Sequence, residues 1–248
     1  MEHQLLFTRF LNHHFGAFVT QVMLALHVHP ENPRAPITNA YSMELLCVGF
    51  LLLLFIIVRM SLRVENPGTV QHLAEMYDGF INEQGEQIIG HGYERFMAYI
   101  GALALFVLTC NLIGLIPGFD SPTAYVIVPL GIALPTFVYY HWYGFREQGF
   151  WGYIKHFFGP VAWMAPFMFL IEIISHLARI LSLTVRLYAN MFAGDMVYLV
   201  IFSLLPVGIP IIFIALHLGV SLIQAYVFML LALIYLGGAT SHDATANV

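Results

Sequence analysis

Long apolar runs separated by short polar turns dominate this chain, and their lengths and lack of strict alternation predict helices rather than strands. Met43 to Met60 is a first run of membrane-spanning length, with Glu44 near one end and Arg59 and Arg63 at the other. Residues 68–92 mix apolar and acidic positions at a helical spacing, which predicts an amphipathic helix outside the hydrocarbon. Phe96 to Ile116 forms a second span, closed by Pro117-Gly118. After the turn Phe119–Pro122, a third span runs from Ala124 to Trp142, so residues 96–142 read as a hairpin. The aromatic stretch Gly149 to Gly159 predicts a short interfacial helix. Residues 1–40 are only weakly apolar and end in the proline-rich loop Pro30–Pro36, which sets them apart from a membrane domain over 41–248.

The C-terminal pattern has a different length scale. Phe167 to Leu204 is 38 residues without a proline, ~57 Å of helix at ~1.5 Å per residue. Ile211 to Gly238 adds 28 more, ~42 Å by the same rise. The hydrocarbon is only ~30 Å thick and spanning helices tilt by ~20° on average. Neither segment fits that slot upright. Pro206–Pro210 is a tight link, so the pattern predicts an antiparallel hairpin over 161–238, made of two steeply inclined helices. The alternative is that each segment breaks into shorter pieces. The predicted fold is an all-α integral membrane protein with about five membrane helices and one interfacial helix.

Composition sharpens this picture. The chain is 60% hydrophobic and 9% charged, with a mean hydropathy of +0.80, whereas soluble domains carry about 25% charged residues. A dispersed net charge of −5 leaves no basic footprint for nucleic acid. Cys47 and Cys110 both fall inside apolar runs, where they read as small buried hydrophobes rather than a disulfide framework. The N-terminal segment carries Arg9 and the histidines 13, 14, 27 and 29, without the charged, apolar, small-residue order of a cleaved signal peptide. Those histidines lie in a context with no fixed geometry, so no metal is assigned to them. Arg59, Arg63 and Arg95 fall on one side, where Arg146 and Lys155 join them, while the turn at 117–123 has no basic residue. The positive-inside rule then puts the N-terminus outside and the C-terminus in the cytoplasm, with Arg9 and Arg34 as exceptions.

Arg186 is the last positive charge in the sequence, set inside the apolar run Leu181–Asn190. A guanidinium keeps its proton when buried, and placing one at mid-bilayer depth costs at least ~2.5–3.5 kcal/mol. Glu172, Ser175, Arg179, Ser182, Arg186 and Asn190 recur at spacings of 3, 4, 3, 4 and 4, one face of a helix. Asp195 is nine positions beyond Arg186, about half a turn away in azimuth. On the next segment His217 and Gln224 are seven apart and share a face. Antiparallel packing around the 205–210 link would gather Asn190, Asp195, His217 and Gln224 into one polar cluster. Each residue also has an ordinary reading. Arg186 could form a structural ion pair with Glu172 or Asp195, and His217 could bond a backbone carbonyl. Asn190 and Gln224 could bridge neighbouring helices, and Ser175 and Ser182 could bond back to their own helix.

The stretch Glu172-Ile-Ile-Ser-His-Leu-Ala-Arg-Ile-Leu-Ser-Leu-Thr-Val-Arg-Leu-Tyr-Ala-Asn-Met-Phe-Ala-Gly194 closely resembles subunit a of the F-type, rotary ATP synthase membrane sector. His217, Gln224 and the following Ala-Tyr-Val-Phe are similar to that family's final helix, and Asn111–Gly118 with Pro122-Thr123 to its central hairpin. The resemblance covers residues 40–240. It implies a bacterial inner-membrane, multi-pass stator subunit that conducts protons and carries no cofactor. Its implied partners are a ring of proton-carrying c subunits, peripheral stalk b subunits and the rest of the synthase. It further implies that Glu172, Ser175 and Ser182 line a cytoplasmic half-channel. Asn190, Asp195, His217 and Gln224 would line an outer one, with Arg186 between them. In the family the position after Ala-Gly is often His or Glu; here it is Asp195. Two rivals from other classes are a membrane haem protein ligated by His176 and His217, and a secondary transporter, for which no internal repeat is visible.

Overall fold

A computed structural model describes residues 5–25, 35–64, 66–116, 118–158, 164–204 and 208–240. Seven α-helices follow one another: α1 Leu6–Ala25, α2 Asn39–Ser61, α3 Thr69–Ile89, α4 Glu94–Ile113, α5 Ile127–Phe157, α6 Ala165–Leu204 and α7 Ile209–Thr240. A 3-10 turn, Pro122–Ala124, lies between α4 and α5. Four helices (α2, α4, α6 and α7) are long and apolar enough to cross a membrane among the described residues. Histidines 27 and 29, most of the Pro30–Pro36 loop, Pro206 and the side chain of Lys155 lie outside the described residues.

Two expectations about local structure change. The span predicted over 124–142 continues as helix up to a kink at Gly149 (φ 71°), where the expected second helix begins and runs to Phe157; the two together make up α5. Glycine alone adopts that angle without strain, so the sequence break between the two runs became a kink instead of a loop. α5 also falls outside the group of strongly apolar helices, because the run Tyr139-Tyr140-His141-Trp142-Tyr143 dilutes it. The weakly apolar N-terminus contains the 20-residue helix α1, tied to α2 by side chains. Thr8 and Ser42 share a hydroxyl hydrogen bond of 2.5 Å, and Asn12 donates to the Ile37 carbonyl and accepts from its N–H, both at 3.0 Å.

The core follows helical spacing. Ile100, Ala104 and Val107 of α4 meet Ala225, Phe228, Met229, Ala232, Leu233 and Leu236 of α7, all buried. From α6 only His176, Leu183, Thr184, Leu187 and Met191 are buried, a narrow stripe. Most of the remaining α6 surface is exposed and apolar, including Leu177, Leu181, Val185 and Phe192. Water would not tolerate that surface at such extent, and lipid or a neighbouring subunit would cover it. With 40 residues in α6 and 32 in α7, the two helices run ~60 Å and ~48 Å at ~1.5 Å per residue. Both are continuous, so they exceed an upright crossing by half or more and are accommodated by inclination.

One end of the bundle collects the basic residues. Arg95 at the start of α4 pairs with Glu147 of α5 at 2.5 Å. Beside it, Gln148 donates to the Ala239 carbonyl at the end of α7 (3.1 Å). At the opposite end the 3-10 turn is locked by buried polar groups. Thr123 donates to Asn111 Oδ1 at 2.8 Å, and Asn111 reaches the Ser221 carbonyl of α7 at 3.4 Å.

Candidate functional site

The site is built on the α6–α7 hairpin, whose register can be read from its cross-helix contacts. Partner numbers on α7 fall as those on α6 rise: Arg179 lies over Tyr235, Asn190 bonds Gln224, Met191 meets Ser221, and Asp195 faces His217. The helices are therefore antiparallel, and the polar stripe of α6 runs along the edge of its buried face.

Near the basic end, Glu172 Oε1 lies 3.3 Å from His176 Nε2, and His176 Nδ1 lies 3.0 Å from the Tyr140 hydroxyl. These three, with Gln148, Tyr153 and Arg179, line a cavity of about 90 Å³ reaching Gly238 and Ala239. Of the three residues expected on this path, only Glu172 lines the cavity. Ser175 is half-buried, and Ser182 is exposed one turn from Arg186.

Arg186 points outward. Its guanidinium donates to Ser182 Oγ at 3.3 Å, and it is flanked by exposed Leu181 and Val185. Among the described residues no carboxylate lies within ion-pair distance of it, because Glu172 is engaged by His176 and Asp195 faces His217. The structural ion-pair reading of Arg186 is thereby removed. What remains is a permanent cation on an apolar, lipid-like face, which calls for an anionic partner from outside the chain.

Beyond Arg186 lies the second polar group. Asn190 donates to Gln224 Oε1 at 2.7 Å, and Asp195 Oδ1 is 3.7 Å from His217 Nδ1. A cavity of about 240 Å³ opens beside them, lined by Asn190, Gly194, His217 and the apolar Val197, Phe213 and Leu216. Waters at ~30 Å³ each would fit there in single file or small clusters. His217 Nε2 is buried with no protein hydrogen-bond partner among the described residues, and such a nitrogen is satisfied by water or a transiting proton. Gly194 makes room for the ring, since a Cβ there would stand 3.0 Å from the imidazole. The structure thus brings the four expected residues of this cluster together as two contacting pairs.

Sequence reasoning missed Tyr140, Gln148 and Tyr153, which come from α5 and carry no spacing signal relative to α6. His176 was legible in one respect, being four positions after Glu172 and so on the same face. The haem alternative fails on distance. His217 packs against Gly194, which is 18 positions along α6 from His176, so the two imidazoles are separated by ~27 Å of helix rise.

Comparison with known proteins agrees with the geometry. The ATP synthase A chain family matches residues 41–237. The chain is 55% identical over 242 residues to the ATP synthase subunit a of Koribacter versatilis, covering 98% of this chain and 99% of that one. It is 44% identical over 208 residues to the subunit a of Solibacter usitatus (84% and 89%), and 38% identical over 239 residues to that of Trichlorobacter lovleyi (96% and 98%).

Proposed function

This chain belongs to the ATP synthase A chain family, as the proton-translocating subunit of the membrane stator, and on that premise we propose how its residues divide the work. Its partner at Arg186 is a rotating ring of c subunits, each with a carboxylate at the depth of the guanidinium. Peripheral b subunits hold it still, and the complex sits in a bacterial inner membrane with the chain's C-terminus in the cytoplasm.

The observation that carries this reading is the exposed Arg186, with no carboxylate partner among the described residues, placed along α6 between two cavities. Glu172 lies 14 residues before it, ~21 Å along the axis, and Asn190 and Asp195 follow within ~14 Å. The Glu172 cavity serves as the cytoplasmic half-channel, with Ser175 and Ser182 extending it toward Arg186. Asn190, Asp195, His217 and Gln224 form the outer half-channel.

A cation near a carboxylate in low dielectric favours its charged form. A protonated ring carboxylate approaching Arg186 would therefore release its proton into one half-channel. Having passed, it takes a proton from the other and returns to lipid neutral. The same fixed charge repels a proton that would otherwise run straight between the cavities. One charge crossing 100 mV is worth ~2.3 kcal/mol, so several protons must cross for each ATP.

Arg186→Ala should abolish ATP-driven acidification of membrane vesicles while the assembled complex still purifies. Arg186→Lys should fail nearly as badly, because an ammonium is compact, strongly hydrated and able to deprotonate when buried. Normal acidification by either variant would overturn the reading.

A further inference from the structure

We propose that His176 is itself a proton carrier, passing protons between Glu172 and the Tyr140 hydroxyl; this rests on reading the Glu172 cavity as a half-channel. A carboxylate beside water suffices for such a channel, so the histidine is an additional feature of this chain. Its two ring nitrogens are engaged at opposite ends, Nε2 by Glu172 at 3.3 Å and Nδ1 by Tyr140 at 3.0 Å. Both partners carry exchangeable protons. A neutral imidazole donates through one nitrogen and accepts through the other, so it can connect groups that do not touch each other.

The surroundings support a transient charge. Glu172 and Arg179 face the cavity from α6, and Tyr140 and Tyr153 from α5. His141 of α5 stacks edge-on to His176 with ring centroids 4.7 Å apart, while its own Nδ1 is held by the Phe137 carbonyl at 3.0 Å. Tyr235 of α7 lies beneath the Arg179 guanidinium, 5.1 Å from its ring centroid. The Arg179 guanidinium lines the same cavity, so the Glu172 carboxylate left behind by a proton transfer has a positive charge nearby.

The transfer balances without any further reagent. The Glu172 carboxyl proton moves to Nε2, leaving a carboxylate and an imidazolium. The imidazolium releases its Nδ1 proton to the Tyr140 oxygen as Tyr140 passes its own hydroxyl proton to water in the cavity. Tautomer exchange through that water restores the ring. A volume of about 90 Å³ holds about three waters at ~30 Å³ each.

The rival explanation is that His176 merely ties α5 to α6. His176→Gln separates the two, since an amide keeps hydrogen-bonding capacity and carries no proton. The whole synthase, wild type or variant, is placed in liposomes with ADP and phosphate, and proton flux is read as the rate of ATP synthesis under a potassium diffusion potential from pH 6 to 8. His176→Gln should co-purify with the other subunits yet lower the flux by about 10-fold, less than the ~10²–10⁴-fold of proton-transfer groups because cavity water offers a partial bypass. Its flux should also lose the wild-type dependence on pH near neutrality. Wild-type flux with an unchanged pH profile would overturn the proposal. Glu172→Gln, run alongside, separates the two readings: if it is slow while His176→Gln is normal, only the carrier role falls. If both are normal, the half-channel reading falls with it. Should His176→Gln fail to assemble, Tyr140→Phe carries the test, as it removes the second proton acceptor together with the hydrogen bond that hydroxyl takes from Arg179. Undiminished flux in that variant overturns the relay equally.

Discussion

Asp195 and His217 stand 3.7 Å apart across the hairpin, close enough to share a proton through one water and too far for a direct hydrogen bond. If they act as one relay, their losses overlap. Asp195→Ala and His217→Ala should each slow proton passage on the outer side, and the double variant should cost less than the sum of the two, measured as ATP-driven acidification rate. Asp195→His should retain substantial pumping, since imidazole also titrates near neutral pH, whereas Asp195→Leu should not. Wild-type pumping by the Leu variant would reduce Asp195 to a structural carboxylate and route the path through Asn190. The ingredients of this cluster were legible because a seven-residue spacing puts His217 and Gln224 on one face and an antiparallel hairpin fixes their level. His176 was harder to assign, because its meaning depends on Tyr140 from a helix 36 residues earlier. A lone histidine in an apolar run says nothing about what stands opposite.

At the scale of elements, α6 carries three surfaces at once: a buried stripe ending at Met191, a polar edge, and an exposed apolar face. The 3.6-residue period made the polar edge readable as a stripe. It did not reveal that Ser182 and Arg186 turn outward while Glu172 turns toward α5, because that depends on where α5 packs. The two pieces of α5 were legible, but not that they meet at Gly149 with no loop between them, since nothing in a glycine's identity distinguishes a kink from a loop. The stripe predicts a labelling pattern. Single cysteines at 172, 175 and 182 should react with a membrane-impermeant thiol reagent added on the cytoplasmic side, and cysteines at 173 and 177 should be protected by lipid. Ile173 and Leu177 are exposed on the isolated chain, so protection would come from the bilayer or a neighbouring subunit rather than from the chain's own packing. Equal reactivity at all five positions would dissolve the stripe as an aqueous path.

For the molecule as a whole, the direction of proton flow rests on which end of the bundle faces the cytoplasm. The Glu172 cavity touches Gln148, Gly238 and Ala239, beside the Arg95–Glu147 pair. The Asn190–Gln224 cluster lies toward the opposite end, where Ser221 bonds Asn111 and Thr123 closes the turn. Cys47 of α2 packs with Cys110 and Ile113 at the far end of α4, so Arg59 and Arg63, further along the chain, lie toward the first end. The proposed placement of that end, and with it the Glu172 cavity, in the cytoplasm follows the positive-inside rule. A labelling experiment fixes the assignment independently of any proton measurement. Val64 and His91 are exposed at the basic end, and Asp120 lies in the turn at the other. The native Cys47 and Cys110 are buried, so they contribute no background. In intact cells an impermeant thiol reagent should label Asp120→Cys and spare Val64→Cys and His91→Cys, and in inverted vesicles the pattern should reverse. The opposite result would exchange the two half-channels, making Glu172 the outer inlet and Asp195 with His217 the cytoplasmic outlet. Arg186 would keep its place between them, because its position along α6 does not depend on which end faces the cell.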